Sequence, residues 1–239
     1  MTITKAMLLA AGFGTRLRPL TDSTPKPMLP MDGHPLIAYS LGLLQTAGIR
    51  DVIINLHYLG EQVSEYCGDG SQWGMRISYS EEPTILGSGG GLKKAAPFFE
   101  DKPFIAINAD TLMGINLKTV IAAFNPEHAG LMVTCPVSAE DNYGLVSVAD
   151  NGRLTGFGEG DVTFAGVQIV TPRLIAQLPD GESSVINDGY KPLIASGAIF
   201  DTICHTGYWN DIGTIERYEK TRIDILDGII RLNPVHMRS

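Results

Sequence analysis

Residues 7–30 constrain the fold more than any other stretch, and they read MLLAAGFGTRLRPLTDSTPKPMLP. The apolar run at 7–10 before Gly12 and Gly14 predicts a buried strand that breaks into a tight glycine turn. Successive backbone N–H groups in such a turn can surround an anion, because glycine lets a ligand approach the backbone closely. On this motif alone, an ordinary glycine turn remains an equal alternative.

The charge around this turn differs from that of the whole chain. The protein carries a formal net charge of −8, yet Arg16, Arg18 and Lys26 follow the turn, opposed there only by Asp22. A local group of cations in an acidic chain predicts a specific polyphosphate ligand rather than general affinity for nucleic acid.

Length and composition place the chain among ordinary globular proteins. Its 239 residues are 44% apolar and 18% charged, which suits one α/β domain with or without a small appendage. No apolar run approaches the roughly 18 to 20 residues of a membrane span, and the N-terminus does not resemble a signal peptide. The cysteines are odd in number and far apart, so we expect reduced thiols at Cys67, Cys135 and Cys204 in a cytoplasmic protein.

The first 80 residues alternate between strand and helix patterns. Residues 34–47 predict a helix with one buried face that stops at Gly48, and residues 60–66 predict a second helix. Residues 51–56 and 75–79 predict strands. Because strands joined by helices pair in parallel through right-handed crossovers, we expect a Rossmann-like sheet.

A second glycine-rich segment lies at 87–91 and precedes a predicted helix over 92–99. We expect it to follow a strand at the carboxyl edge of the sheet, where ligands of open α/β folds bind. A flat ring or a phosphate could then lie against bare backbone. A flexible loop is the alternative.

Two aspartates are candidate metal ligands. Asp110 ends the apolar strand predicted over 104–110, at the edge where a divalent cation could bridge phosphates. Taken alone, Asp110 is more typical of a helix cap, since a helix is predicted over 117–124. Asp211 is the second candidate, and Thr214 is placed to cap a helix over 215–226.

The pattern changes after residue 136. Residues 143–170 contain several short strands and a DNG turn at 150–152, which predict hairpins rather than further strand–helix units. We therefore expect a smaller α+β lobe on the edge of the first sheet, with a cleft that Asn142, Glu159 and Gly166 could line. The predicted division of the single domain 1–239 is a nucleotide-binding core at 1–136, a sugar-binding lobe at 137–205 and a metal-binding strand with C-terminal helix at 206–239.

These motifs together resemble the sugar-1-phosphate nucleotidyltransferases, also called nucleoside-diphosphate-sugar pyrophosphorylases. The matching segments are GFGTRLRPLT with TPKP, LGSGGGLKKA, NAD at 108–110, FAGVQIV at 164–170 and YWNDIGTIERY. They occur in the family's order and cover nearly the whole chain. The resemblance implies a Rossmann-like mixed, mainly parallel sheet flanked by helices, of the nucleotide-diphospho-sugar transferase type, with a small α+β sugar-binding lobe. It also implies a Mg²⁺-dependent reaction of a nucleoside triphosphate with a sugar 1-phosphate.

The resemblance assigns roles residue by residue. It implies Arg16 and Lys26 as catalytic residues and Asp110 and Asp211 as metal ligands. The implied nucleotide-binding set is Ala10, Ala11, Gly12, Gly14, Thr15, Arg16, Glu82 and Gly87, and the implied sugar-binding set is Asn108, Tyr143, Gly144, Glu159 and Gly166. The Glu82 carboxylate can accept from the N–H of uracil or from the N–H and amino groups of guanine. Homo-oligomers are common in the family, but no apolar stripe in the sequence identifies an interface.

One departure concerns the sugar side. Many relatives carry a Glu-Lys-Pro triplet whose lysine binds the sugar phosphate, whereas this chain has Glu159 followed by Gly160. The favoured interpretation is transfer from UTP to N-acetylmuramate 1-phosphate or a related sugar, and the alternative is GTP with mannose or heptose 1-phosphate. A non-catalytic nucleotide-sugar sensor is a hypothesis of another class. A dinucleotide-dependent oxidoreductase does not fit, because GFGTRL lacks the third glycine of that motif.

Overall fold

The computed structural model describes residues 3–138, 141–231 and 233–236. The chain divides into two compact units, which we describe separately. Unit 1 is formed mainly by Leu86–Ala106 and Lys118–Thr206. Unit 2 is formed by Thr4–Ile85, Ile107–Leu117 and the chain from Gly207 onwards. The predicted functional division of the chain is a separate question and stays a prediction.

The strands of the two units lie throughout the chain and differ in length from two residues to nine. In chain order they are β1 (Lys5–Leu9), β2 (Pro30–Met31), β3 (His34–Pro35), β4 (Asp51–Leu56), β5 (Arg76–Glu81), β6 (Phe104–Asn108), β7 (Thr111–Met113), β8 (Gly130–Pro136), β9 (Leu145–Val148), β10 (Leu154–Phe157), β11 (Val162–Val170), β12 (Phe200–Cys204) and β13 (Trp209–Asp211).

The α-helices lie in some of the connections between these strands and after β13. They are α1 (Leu36–Ala47), α2 (Gly60–Cys67), α3 (Gly87–Ala95), α4 (Leu117–Ala123), α5 (Pro172–Gln177), α6 (Lys191–Ala195) and α7 (Ile215–Leu226). Short 3₁₀ segments include Thr15–Leu17, Lys26–Met28, Ser71–Trp73 and Ala96–Phe99, and Val185–Tyr190 forms a π-helical turn.

Three parallel strands of unit 2 bring their carboxyl ends to one edge. Strand β4 lies between β1 and β5 and pairs with both in parallel. The register sets Leu9 beside Asn55 and Asn55 beside Ser80. The strand–helix alternation of the first 80 residues therefore gives the parallel arrangement that the sequence predicts.

A small antiparallel pair brings two distant aspartates together. Strands β7 and β13 pair with Asp211 opposite Thr111, the residue after Asp110. The backbone N–H of Ile212 also donates to the carbonyl of Asp110 at 3.1 Å. The backbone ladder thus fixes these two positions as neighbours, although they are far apart in the sequence.

Unit 1 has mixed strand pairing. Strand β8 is antiparallel to β11 and parallel to β12. Strand β9 pairs antiparallel with β10 and with the start of β11, so the hairpin predicted around the DNG turn is present. The fold is α/β, with a mixed, mainly parallel sheet flanked by helices, as the sequence predicts.

Several element boundaries differ from the predicted ones, since α1 begins at Leu36 rather than at residue 34 and β5 spans Arg76–Glu81 rather than residues 75–79. Two further differences concern segments with candidate site residues. The glycine-rich segment at 87–91 is not a loop, because α3 begins at Gly87, and the predicted helix over 92–99 ends as a 3₁₀ segment. Strand β6 ends at Asn108 rather than at Asp110. By contrast, β4 and α7 match their predicted bounds, and α1 ends where Gly48 adopts a left-handed φ of 88°.

In the part of the chain that the structure describes, no helix is both long enough and apolar enough to cross a bilayer. All three cysteines have free thiols, with Cys67 and Cys135 buried and Cys204 exposed.

Candidate active site

The glycine turn after β1 is held by polar contacts within unit 2. The N–H of Ala10 donates to Asn55 Oδ1 at 2.8 Å. Gly14 has a left-handed φ of 64° at the start of the Thr15–Leu17 segment, and its carbonyl accepts from Thr21 Oγ1 at 2.9 Å. Gly12 is exposed, and a methyl group built on it would meet no atom within 4 Å. The turn therefore has a fixed backbone with open space beside it.

The predicted nucleotide-binding residues of this turn differ in exposure. Ala10 and Ala11 are buried, whereas Thr15 and Arg16 are exposed. Arg18, the other basic residue of the segment, forms an exposed pair with Asp22, with Nε and Oδ1 3.3 Å apart.

Lys26 lies between the two predicted metal carboxylates. Its Nζ is 2.5 Å from Asp110 Oδ2 and 3.7 Å from Asp211 Oδ1, and its side chain is 11% exposed. Helix α4 begins at Leu117, so the residue before that helix is position 116 and Asp110 cannot be its N-cap. The interpretation of Asp110 as a helix cap is therefore wrong, and the sequence's candidate cation and both candidate carboxylates converge.

Electrostatics at Asp211 favour an added positive charge. Burial raises the pKa of the Asp211 carboxyl and the negative charge of Asp110 raises it further, while Lys26, Arg217 and Arg16 act to lower it. The net shift is upward, since two neighbouring carboxylates in a partly buried site are costly to ionise together.

The donor set at this cluster fits a hard divalent cation. Carboxylate oxygens are the donors that Mg²⁺ prefers, and Mg²⁺ usually takes only one or two of them together with substrate phosphate oxygens. Within residues 3–138, 141–231 and 233–236, no group of three or more His, Cys, Asp or Glu side chains could enclose a metal. Asp110 and Asp211 thus suit an ion whose coordination the substrate completes.

Two arginines approach the same carboxylate around Gly213. A methyl group built on Gly213 would lie 3.1 Å from Asp211 Oδ2, 3.3 Å from Arg16 Nη2 and 3.4 Å from Arg217 Nη1. Arg217 Nη1 is itself 3.5 Å from Asp211 Oδ2, and its side chain is 22% exposed. Sequence reasoning missed Arg217, although a base in the first turn of a helix that follows a candidate metal ligand was a signal.

The position of Arg217 follows from the cap of its helix. Thr214 Oγ1 accepts from the N–H of Arg217 at 3.3 Å, which confirms the predicted N-cap of α7. This cap fixes the first turn of α7 directly after β13, so Arg217 stays within reach of Asp211.

Glu82 follows β5 and is tied to the middle strand. It is buried, and its Oε1 accepts from Asn55 Nδ2 at 2.8 Å. Its backbone N–H donates to the carbonyl of Leu56 at 2.7 Å, and its carbonyl lies 2.7 Å from His57 Nδ1. Asn55 thus connects Glu82 to the glycine turn, a link that sequence reasoning also missed.

Gly87 belongs to unit 1, where the glycines of α3 pack against residues 181–183. The N–H of Gly89 donates to the carbonyl of Ser183 at 2.8 Å, and a methyl group on Gly90 would lie 2.0 Å from the carbonyl oxygen of Gly181. Close backbone packing within unit 1 therefore requires some of these glycines. The role of Gly87 in nucleotide binding stays a prediction.

Most predicted sugar-binding residues lie at strand ends of unit 1. Tyr143 is half-buried, and the exposed Gly144 accepts at its carbonyl from Thr163 Oγ1 at 2.8 Å. Glu159 is exposed, and its carbonyl accepts from Ser147 Oγ at 2.9 Å. Gly166 has a φ of 83° within β11, where the register against β8 shifts. Asn108 lies at the end of β6 in unit 2.

The structure gives a local reason for the missing lysine. Gly160 has a φ of 124°, and a methyl group on it would lie 2.2 Å from the carbonyl oxygen of Val146. No L side chain fits this conformation without moving the backbone. A lysine at position 160 is therefore incompatible with this hairpin as it is folded.

Comparison with known proteins agrees with these features. The model of the family described as "Nucleotidyl transferase" matches residues 5–228. The chain is 34% identical to an N-acetylmuramate alpha-1-phosphate uridylyltransferase of Neisseria meningitidis, over 91% of this chain and 96% of that one. It is 32% identical to a mannose-1-phosphate guanylyltransferase of Mycobacterium tuberculosis, over 94% of this chain and 65% of that one.

A solved structure shows the same fold. HddC from Yersinia pseudotuberculosis, complexed with GMP-PN, superposes with a TM-score of 0.81 at 23% identity, over 93% of this chain and all of that one. The family match and the meningococcal relative each span most of this chain. The chain therefore belongs to the nucleotidyl transferase family, the family of sugar-1-phosphate nucleotidyltransferases that its motifs predict, and is an enzyme.

Proposed function

We propose that the enzyme transfers uridylate from UTP to N-acetylmuramate 1-phosphate or a closely related sugar 1-phosphate, giving a nucleoside-diphosphate sugar and pyrophosphate. The observation that carries the reaction class is the cluster of Lys26, Asp110 and Asp211 with Arg16 and Arg217 close by. For the substrate, the support is the meningococcal relative of that name, of which this chain covers 96%.

The reaction needs position and positive charge rather than a covalent enzyme intermediate. An oxygen of the sugar phosphate attacks the α-phosphorus of the triphosphate, and the bond to the β-phosphate oxygen breaks as pyrophosphate leaves in line. Arg16 binds the triphosphate and stabilises the charge that builds on the leaving pyrophosphate. Lys26 contacts phosphate near the reacting centre.

Asp110 and Asp211 are the residues that would hold Mg²⁺. When bound, the ion would supply positive charge that offsets the negative charge of the substrate phosphates. Arg217 keeps the Asp211 carboxylate directed toward the cluster through its contact at 3.5 Å. The cationic side chains complement the negative phosphates of the triphosphate, and the two carboxylates complement the cation that accompanies it.

The choice of base depends on Glu82 in this proposal. Its carboxylate accepts from the ring N–H of uracil, which favours UTP over nucleotides with no donor at that position. The same carboxylate can accept two bonds from guanine, and the mycobacterial relative is named as a guanylyltransferase. GTP with mannose or heptose 1-phosphate is therefore the second candidate.

The test is pyrophosphate release from a matrix of substrates. The protein is incubated with Mg²⁺, each of UTP, GTP, CTP and dTTP, and each of N-acetylmuramate, glucose, mannose and heptose 1-phosphates. We expect the highest kcat/KM for UTP with N-acetylmuramate 1-phosphate and loss of turnover with EDTA. A maximum for GTP with mannose 1-phosphate favours the second candidate, and absence of release across the matrix contradicts the proposed class.

Thermal stabilisation provides a second measurement of base choice. A ligand at 100 times its dissociation constant stabilises the folded state by about 2.7 kcal/mol. We expect UTP to raise the Tm more than GTP does at equal concentration with Mg²⁺. Binding without turnover for every sugar would instead support a sensor.

A further inference from the structure

The buried side chain of Asn55 connects two segments of unit 2 that are both predicted to bind the nucleotide. They are the glycine turn after β1 and Glu82 after β5. Asn55 lies in β4, with Leu9 of β1 on one side and Ser80 of β5 on the other. It is buried, with 3% of its surface exposed. Because the three strands run in parallel, the glycine turn that follows β1 and Glu82 that follows β5 lie at the same edge of the sheet, one on each side of Asn55.

The two ends of the Asn55 amide have different partners. Oδ1 accepts from the N–H of Ala10, and Nδ2 donates to Glu82 Oε1, each at 2.8 Å. A carboxylate oxygen only accepts when ionised, so the amide nitrogen must face Glu82 and the amide oxygen must face Ala10. An aspartate lacks the donor, and an alanine lacks both groups.

The backbone of Glu82 has its own supports. Its N–H donates to the carbonyl of Leu56 and its carbonyl contacts His57 Nδ1, each at 2.7 Å. These contacts fix where the residue lies but leave its side-chain torsions open. The bond from Asn55 acts on the carboxylate itself and so restrains its direction.

We propose that Asn55 is a positioning residue. It holds the glycine turn and the Glu82 carboxylate in a fixed position relative to each other, so that the triphosphate and the base are recognised together. The inference rests on the proposed function, in which Glu82 contacts the base, and on the predicted role of the glycine turn in binding the nucleotide. In this arrangement Asn55 acts on nucleotide affinity and base choice rather than on the chemical step. It touches no reacting atom, since its partners are Ala10 and Glu82.

The first experiment is Asn55→Ala with Gln45→Ala as a matched control. Gln45 is an amide of the same unit that also bonds at both ends, with Nε2 donating to the carbonyl of Trp73 at 2.8 Å and Oε1 accepting from the N–H of His236 at 3.2 Å. Both variants lose an amide that bridges chain segments, but Gln45 is outside the proposed site. KM, kcat and Tm are measured with Mg²⁺ and saturating sugar phosphate.

We expect Asn55→Ala to raise the KM for the preferred triphosphate by roughly tenfold, since it leaves a buried carboxylate and an N–H without their shared partner. We expect kcat at saturation to fall less than about threefold and base discrimination to fall by roughly tenfold, because the interactions lost affect mainly binding. Gln45→Ala should lower the Tm without changing KM or discrimination. A drop in Tm alone for Asn55→Ala would overturn the inference.

A paired exchange keeps the inference testable if Asn55→Ala folds poorly. Asn55→Asp places two carboxylates side by side, whereas Asn55→Asp combined with Glu82→Gln restores a donor and an acceptor in exchanged positions. We expect the double variant to recover Tm and KM relative to Asn55→Asp, without recovering base discrimination. A double variant with a KM no lower than that of Asn55→Asp would contradict the positioning role of Asn55.

Glu82→Gln alone separates this inference from the proposed function. A changed base preference in Glu82→Gln supports the proposed role of Glu82, and an unchanged preference contradicts that role. If Glu82→Gln shifts base preference while Asn55→Ala shifts neither KM nor preference, the proposed function stands and the positioning role of Asn55 is wrong.

Discussion

The carboxylate cluster of unit 2 and the β9–β11 hairpins of unit 1 are built in different ways. In unit 2, Lys26, Asp110 and Asp211 are partly buried and contact one another through charged side-chain atoms. In unit 1, Gly144 and Glu159 are exposed, and their carbonyls accept from side-chain hydroxyls. In the cluster of unit 2, the contacts depend on the charged side chains themselves. In the hairpins of unit 1, the contacts at Gly144 and Glu159 use backbone carbonyls, so the residue type at these positions can change without removing them.

This contrast matches the demands of the proposed reaction. Every nucleoside triphosphate presents the same phosphates, so their site can be specified by a rigid arrangement of charges. Sugar 1-phosphates differ in ring substituents, which exposed strand ends can accommodate by changes of side chain. Substitutions in the two regions should therefore change different properties, and the following predictions begin with the largest effect.

Asp211→Asn should lower turnover at least about a hundredfold while leaving the Tm in EDTA unchanged or higher. The expected loss follows from removal of a carboxylate that the proposed function assigns to the metal ion. Stability is kept because the raised pKa of Asp211 shows that its charged form is disfavoured in the fold. Pyrophosphate release and thermal unfolding check both parts. Asp22→Asn, at an exposed pair, is the control, and near-normal turnover of Asp211→Asn would show that the charge cluster is not the catalytic centre.

Gly160→Ala should destabilise the protein by about 2 kcal/mol or more, since a left-handed φ and a contact of 2.2 Å with the carbonyl oxygen of Val146 act together. Gly152→Ala is the matched control, because its φ is 78° but its methyl group would meet no atom within 4 Å. Denaturant unfolding of both variants isolates the steric part. Equal losses would mean that backbone shape does not restrict position 160.

Arg217→Ala should lower kcat/KM about tenfold, because it removes a charge next to Asp211, where the proposed function places the substrate phosphates. Arg222→Ala, in the same helix but paired with Glu219 at an exposed position, should stay near the activity of the unchanged protein. Steady-state kinetics at fixed Mg²⁺ make the comparison. If both variants lose activity equally, the effect comes from α7 as a whole rather than from the cluster.

The smallest effect is expected at two helix caps. Thr214→Ala should cost about 1 kcal/mol of stability through the N-cap of α7. Thr171→Ala should cost more, because this buried threonine caps α5 and also donates to the carbonyl of Ala129 at 2.6 Å. Chemical denaturation measures both. A reduced kcat/KM is expected only for Thr214→Ala, whose cap holds the turn that carries Arg217.

Local patterns predicted the elements whose ends are marked by strong signals. Gly48 ends α1 with a left-handed φ and Thr214 caps α7, both as expected from residue type. The sequence pattern places the start of α3 too late, because glycine normally disfavours helix. Here close packing against residues 181–183 requires glycine within the helix. That packing involves residues distant in the sequence, so no local pattern reveals it.

The features of the candidate site also divide into those that a local sequence pattern reveals and those that depend on contacts between residues distant in the sequence. The convergence of Asp110 and Asp211 on Lys26 depends on the pairing of β7 with β13. No sequence pattern predicts that pairing, and the family resemblance implies only that both aspartates are metal ligands. The sequence pattern does not mark Asn55 as a site residue, because the segment DVIINL is typical of a buried strand. A polar residue among its β-branched neighbours was the available signal, since a buried amide needs partners for both of its ends.

The pairing of β7 with β13 also has a consequence for how the protein is made. Unit 2 is formed by three chain segments, and the two main segments of unit 1, Leu86–Ala106 and Lys118–Thr206, lie between them in the sequence. During synthesis, Lys26 and Asp110 leave the ribosome long before Asp211, while the strands of unit 1 emerge in between. A nascent chain that ends before Gly207 lacks one carboxylate of the cluster and the helix that carries Arg217. Under the proposed function, the capacity to turn over a triphosphate is acquired late in translation, and we expect an N-terminal fragment that ends there to be inactive.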